Sequence, residues 1–470
     1  MSNDQKISES TAGLLFRPIH KTIQVVRNRP VRRWASKCVR WTLSLIPHRT
    51  KYYIYEKLWE WSGLLPRRLK EFLKKKVFND RSDISLCQKL NEFLSNVVID
   101  NGSKRLVLIF SGTTFTESEG QRPTRFAREL AGRGIPVIFA YWRWNTKEAV
   151  QISKIPKVFC LPIDEFFKDF ERLLADERLG SLKRIILMEF PHPRLMEIVN
   201  YANACAWRTV YDVIDDWEQF HKQGQAFWYD RDLETYLLQN ADISTVSCEN
   251  LLKKMVAMGA QRTQLIPNAF EDWKSAGNKP TPSVRKGKVT IGYFGHLTSS
   301  WFDWSLVESV ARRRPDWVFH VIGYGLDKRV ASCDNILFLG RVEHNDLPAF
   351  ARNWDVAMIP FRASDLSASV DPIKIYEYIS LGLSTVVTGM PHLASYPGVI
   401  VAQDDLEFEA AVEKAAQHRL DEKEIEAFLA SNRWSNRIDT LLDICDRVSQ
   451  SSPVSLALSD NCNSTGCAAA

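Results

Sequence analysis

Apolar positions between residues 105 and 445 come in short unbroken runs separated by amphipathic stretches. The first run is Arg105-Leu-Val-Leu-Ile-Phe110, and the polar loop Ser111-Gly112-Thr113-Thr114 follows it. A run without polar alternation suits a strand covered on both faces. Residues 124–133 then carry apolar side chains at helical spacing and stop at Gly134, a natural helix end. Residues 136–141 predict the next strand. Further strands are predicted at 185–188, 210–211, 243–246 and 264–266, with helices over 231–239 and 249–258 between them.

Residues 271–288 break this pattern. They are polar and hold Gly277, Pro280, Pro282 and Gly287, the composition of a linker. The alternation then restarts, with strands predicted at 289–294, 318–322, 336–339, 356–359 and 385–387. Helices are predicted at 304–313, 347–353, 373–381 and 406–417, and two more within 423–448. Residues 449–470 are rich in Ser, Asn, Ala and Gly and are expected to be disordered.

Strand–helix alternation on this scale implies parallel sheets with helices on both faces. The fold class is therefore α/β, with two consecutive Rossmann-like, doubly wound domains behind a basic helical N-terminal extension. The extension is placed at 1–100, the first domain at 101–275 and the second at 284–422. Residues 423–448 are expected to cross back to the first domain, ahead of the tail at 449–470. In such sheets a ligand lies beyond the carboxyl ends of the strands, which here means the cleft between two domains.

Charge changes the picture at one end only. The net charge is +6, but residues 1–80 carry 18 Lys and Arg against 6 Asp and Glu, while the rest is net acidic. Aromatic residues such as Tyr52, Tyr53, Trp59 and Trp61 are interleaved with the basic ones. Such a segment could lie on an anionic membrane surface, or pack on the body as a helical extension with a solvated basic face. The nine cysteines are scattered, with no Cys-x-x-Cys pair, which points to a reducing compartment and to no zinc site. No run of about 18 apolar residues and no signal-peptide core occurs. A cytoplasmic location is expected, with attachment to the inner face of the plasma membrane as the alternative the basic segment raises. Gly323-Tyr-Gly325 is followed by Lys328 rather than a third glycine, so no nicotinamide site is predicted. The histidines show no ligand spacing; no metal, cofactor or nucleic-acid partner is expected.

The chemistry concentrates between Ile359 and Gly382. A strand ends at Pro360, a polar loop follows, and Asp371-Pro372 reads as helix cap and first helical residue. The free amides and positive dipole end of such a helix suit phosphate. Lys374 adds a full charge one turn in, and Arg362 can fork onto a phosphate from the strand end. Glu377 shares a face with Lys374 and can accept two hydrogen bonds from a ribose diol. The plain alternative is a surface ion pair between Lys374 and Glu377. Asp371, as a cap, would compete with phosphate for the same amides. In the first domain Asp215 and Asp216 end a strand and are candidates for a general base, although aspartate there also caps helices. Glu189 and His192 face the same cleft edge.

These motifs resemble the GT-B glycosyltransferases of the large group 1 family. The resemblance rests on Pro-Phe-Arg362, Pro372-x-Lys374-x-x-Glu377-Tyr and the Gly382 turn, with Ile291-Gly-Tyr-Phe-Gly295-His296-Leu297 and Phe338-Leu-Gly-Arg341 upstream. It covers roughly residues 105–445. It implies transfer of a sugar from a nucleotide-diphosphate donor to a glycan or lipid-linked acceptor in polysaccharide or cell-envelope biosynthesis. The second domain would hold the donor through Gly295, His296, Arg362, Asp371, Lys374 and Glu377, with Glu377 on the ribose. The acceptor would enter near Gly112, Thr113 and Thr114. One departure stands out: relatives often place a second glutamate eight residues before the ribose glutamate, and here that position is Ser369. Asp365, Ser367 or Asp371 are left as sugar contacts. A non-catalytic protein that binds sugar nucleotide or lipid on the same fold is the competing reading.

Overall fold

The computed structural model describes residues 84–115, 121–143, 149–270, 273, 282–325 and 333–450. The chain divides into one unit of residues 1–87 with 144–148 and a second of residues 88–143 with 149–470. Both sheets belong to the second unit. Most of the basic segment and all of the tail beyond 450 lie outside the described residues, so the expectations for them do as well.

Seven parallel strands build the first sheet: β1 (Arg105–Ser111), β2 (Val137–Tyr141), β3 (Val158–Pro162), β4 (Lys183–Met188), β5 (Arg208–Val213), β6 (Ile243–Val246) and β7 (Thr263–Leu265). Their order is β3-β2-β1-β4-β5-β6-β7. Six residues of β1, from Leu106 to Ser111, are buried, as expected of a strand covered by helices on both faces. The helix Arg122–Gly132 packs Phe126, Ala127 and Leu130 onto Val107, Ile109 and Val137.

The second sheet holds β8 (Val289–His296), β9 (Trp317–Tyr324), β10 (Ile336–Gly340), β11 (Val356–Pro360), β12 (Thr385–Thr388) and β13 (Val399–Val401), in the order β10-β9-β8-β11-β12-β13. Each sheet reverses its winding once, between β1 and β4 in the first and between β8 and β11 in the second. These are the two places where a doubly wound sheet opens a ligand crevice.

The last two helices, Glu422–Ser431 and Trp434–Gln450, behave differently from each other. Residues of the first, among them Leu429, join the core of the second domain. Trp434, Ile438, Leu441 and Cys445 of the second join the core of the first domain. The crossing point is fixed by backbone bonds from Phe270 N to Asn432 O (2.8 Å) and from Trp434 N to Phe270 O (3.3 Å). Trp434 meets Phe126 edge-on at 5.7 Å, and Arg105 holds Asp446 through two bonds of 2.9 and 2.6 Å.

Sequence pattern missed β3, β13 and the short helix Asp365–Ala368. β13 is three residues long and the helix four, too short for either period to register. A further correction concerns the start of the helix Ile373–Ser380. Pro372 occupies the cap position in extended conformation, and Asp371 does not cap.

Candidate active site

Gly295, the next-to-last residue of β8, has φ +141°, a conformation that side-chain-bearing residues rarely adopt. A β-carbon there would stand 2.8 Å from Lys374 Nζ and 3.0 Å from the Tyr293 hydroxyl. Glycine is therefore required both for the turn and for the approach of Lys374. The lysine comes from the first turn of the helix Ile373–Ser380, so the two motifs read separately in the sequence meet at the switch point of the second sheet.

Lys374 is not paired with Glu377 as a surface couple. Its ammonium donates to the neutral Tyr293 hydroxyl (3.2 Å) and lies 4.8 and 5.1 Å from the ring centres of Tyr293 and Phe361. Burial pushes its pKa down to about 8, against the opposing pull of Glu377. A cation held among aromatic rings and beside a helix N-terminus without a side-chain cap has surroundings that suit an anion. His296 stands beside it, 5.2 Å from Trp301 and 4.9 Å from Tyr324 between ring centres, and burial with Lys374 lowers its pKa.

Arg362 leaves β11 with its side chain about half exposed, 3.9 Å from Asp303. Its carbonyl accepts from Ser367 Oγ (2.7 Å), and Ser364 and Ser367 form a reciprocal cap on the short helix Asp365–Ala368. Ser367 is thus committed to the loop's own structure. Ser369 is buried, and Asp365 lies 3.4 Å from Gln219 of the first domain.

Glu377 is buried, and its Oε1 accepts from His344 Nε2 at 2.6 Å, with Arg125 of the first domain 4.0 Å away. His344 in turn stacks on Trp273 at 4.7 Å. Neither His344 nor Arg125 was found from the sequence. The signal for Arg125 was its place three residues after Arg122 on one helix face.

Asp371 does not cap the helix it was expected to start. Its carboxylate accepts from the backbone amide of Asn268 (2.6 Å) and from the Tyr376 hydroxyl (3.0 Å), while Asn268 Nδ2 donates to the Asp371 carbonyl (2.6 Å). Burial pushes its pKa up to about 6, opposed by those bonds. Asp371 thus joins the domains rather than facing a donor.

In the first domain Asp216 does cap a helix, accepting from Gln219 N (3.0 Å), and it pairs with Lys254 at 2.6 Å. A carboxylate so engaged is poorly placed as a base. Asp215 remains partly buried, pushed up to about 7 by burial and by Asp216. The loop after β1 is closed on itself: Thr113 N donates to Ser111 Oγ (3.1 Å), Gly112 lies against Phe190, and Thr114 is exposed.

Two consecutive parallel, doubly wound domains make up the GT-B fold. Residues 288–418 match the family model for glycosyl transferases group 1. The protein TuaH of Bacillus subtilis (strain 168), named as a teichuronic acid biosynthesis glycosyltransferase, is 23% identical over 207 residues, 40% of this chain and 52% of TuaH. The chain thus spans about half the length of that relative. Among solved structures, sucrose-phosphate synthase from Thermosynechococcus elongatus superposes with a TM-score of 0.52 at 11% identity, over 74% of this chain and 100% of that one. The apo structure of OtsA gives 0.50 at 13% identity, with the same coverage. At these identities both likenesses speak to the fold. Among the described residues no helix is long and apolar enough to cross a membrane.

Proposed function

We propose that the chain transfers a sugar from a nucleotide-diphosphate donor bound at the carboxyl end of β8. One observation carries this reading: Lys374, drawn in beside Gly295, gives its hydrogen bond to a phenol and not to a carboxylate. A diphosphate supplies the missing negative charge, and the N-terminus of the helix Ile373–Ser380 adds amide donors. Arg362, half exposed at the next strand end, completes the counter-charge. Preorganised positive groups of this kind stabilise the leaving diphosphate as charge develops on it.

Glu377 is the natural ribose partner, because its carboxylate lies one turn beyond Lys374. His344 occupies that carboxylate here, so the diol exchanges with the imidazole on binding. The acceptor side falls to the first domain, across the cleft at the ends of β1, β4 and β5. A glycan of the cell envelope is the acceptor we favour, supported by the name of the Bacillus subtilis relative. The basic aromatic segment in residues 1–80 would bring the enzyme to an anionic surface that carries lipid-linked acceptors.

A thermal-shift screen of nucleotide sugars tests this, since a ligand of the native state raises the melting temperature. A hit should be hydrolysed slowly to nucleoside diphosphate, and Glu377→Ala should abolish both the shift and the turnover. Binding with no turnover across a panel of glycan and lipid-linked acceptors would favour a non-catalytic binder instead.

A further inference from the structure

Glu189 is the residue the fold explains least. It follows β4, and its amide continues the ladder by donating to Phe110 O at 3.0 Å. The side chain is 0% exposed, and neither carboxyl oxygen has a hydrogen-bond partner among the described residues. It is in phase along the strand with Ile185 and Leu187, which pack in the core with the helix Arg122–Gly132. Glu189 therefore faces the first turn of that helix.

The charged groups that face it are Arg122 and Asp212. Arg122 is already committed: Nε and one terminal nitrogen bond Asp212 (2.7 and 3.0 Å), and the other takes Ile266 O (2.7 Å) and Asn268 Oδ1 (3.3 Å). Asp212 is held by Thr245 as well, at 2.6 Å. On the same helical turn Thr124 Oγ1 is buried and also without a partner. Burial, reinforced by Asp212, holds the Glu189 carboxyl well above the ordinary carboxylate range. A protonated carboxyl at this position can donate one hydrogen bond and accept another.

A buried polar group without a partner weakens a fold, and native structures rarely keep one unless a ligand completes it. Its position says which ligand. β1 and β4 are the neighbours at which the first sheet reverses its winding, and a ligand crevice opens there. The Gly112 loop leaves β1 on one side of that crevice, and Phe190, next to Glu189, lies against it. The donor cation Lys374 stands at the corresponding point of the other sheet.

Resting on the glycosyltransferase reading, we propose that Glu189 binds the attacking hydroxyl, that of a sugar acceptor or of water in its absence, in the crevice between β1 and β4. The carboxyl and Thr124 then gain the hydrogen bonds that the fold withholds. Glu189 orients the nucleophile and forms no covalent bond to it.

The test uses the full chain with two variants, Glu189→Leu and Glu189→Gln. The probes are UDP-glucose, UDP-N-acetylglucosamine, GDP-mannose and dTDP-rhamnose, with hydrolysis of the one that binds as readout. Glu189→Leu should hydrolyse it at least about tenfold more slowly, the loss of one hydrogen bond in the transition state. Its affinity for the nucleoside diphosphate should be unchanged and its melting temperature equal or higher. Glu189→Gln, whose amide also donates and accepts, should keep the rate within about threefold. Hydrolysis by Glu189→Leu within twofold of wild type overturns the proposal. So does a rate loss accompanied by a lower melting temperature and weaker nucleotide binding, which marks a structural role, and so does a Glu189→Gln variant as slow as Glu189→Leu. Absence of hydrolysis of every probe by the wild type instead removes the glycosyltransferase reading, and this proposal with it.

Discussion

The carboxylate of Asp371 accepts the backbone amide of Asn268 at 2.6 Å, across the boundary between the domains. That bond engages the carboxylate of Asp371 and leaves the N-terminus of Ile373–Ser380 without a side-chain cap. The same contact therefore joins the domains and keeps the helix amides open to an anion. Arg437 strengthens the joint from the C-terminal helix, donating to the Asn268 carbonyl at 3.1 Å.

Asp371→Ala should destabilise the chain by about 2–3 kcal/mol, because it leaves the buried Asn268 amide and the Tyr376 hydroxyl unpaired. Urea unfolding followed by fluorescence measures this. A change under about 0.5 kcal/mol, the scale of ordinary surface substitutions, would show that the joint is dispensable.

Donor binding should weaken as pH rises through about 8, the value to which burial lowers Lys374. The sign follows from the charge: below that pH the free protein already carries the ammonium, and above it a proton must be taken up for the diphosphate to be neutralised. Affinity measured between pH 6.5 and 9.5 should be flat at first and then fall, and Lys374→Met should flatten the curve. An affinity that rises over the alkaline half would refute the assignment.

Gly295→Ala introduces a side chain at φ +141° and 2.8 Å from Lys374 Nζ. The lysine tip can swing aside, so the stability loss should be modest, about 1–2 kcal/mol from backbone strain. Diphosphate affinity should drop by about tenfold, because the displaced ammonium loses a charge-assisted contact. Calorimetric titration and thermal unfolding separate the two effects.

Asp216→Ala should act on stability alone. The residue caps the helix Trp217–Lys222 and pairs with Lys254, roles together amounting to about 1–2 kcal/mol. Donor hydrolysis should stay within about threefold of wild type once the variant is folded; a loss of a hundredfold or more would return Asp216 to the chemistry.

Much of this was legible in the sequence. Unbroken apolar runs such as that in β1 and in β11 announced buried parallel strands, and the Gly295 turn and the Lys374 helix were each visible as motifs. What stayed hidden were contacts between distant segments. Nothing local to Asp371-Pro372 tells that Asn268, over a hundred residues earlier, will take the carboxylate; local rules favour a cap, and a tertiary bond overrides them. His344 and Arg125 meet Glu377 for the same reason, from a loop and from the other domain. Asp216 shows the opposite case, where the local capping rule describes what the structure contains.

The most direct measurement is a calorimetric titration of UDP, ADP and GDP into the wild type and into Lys374→Met. The preferred nucleoside diphosphate should bind the variant about 10–100-fold more weakly, the loss of one charge-assisted contact, with a melting temperature no lower than that of the wild type, since a partly buried charge has been removed. Equal affinity in the two proteins would contradict the placement of the donor diphosphate at Gly295 and Lys374.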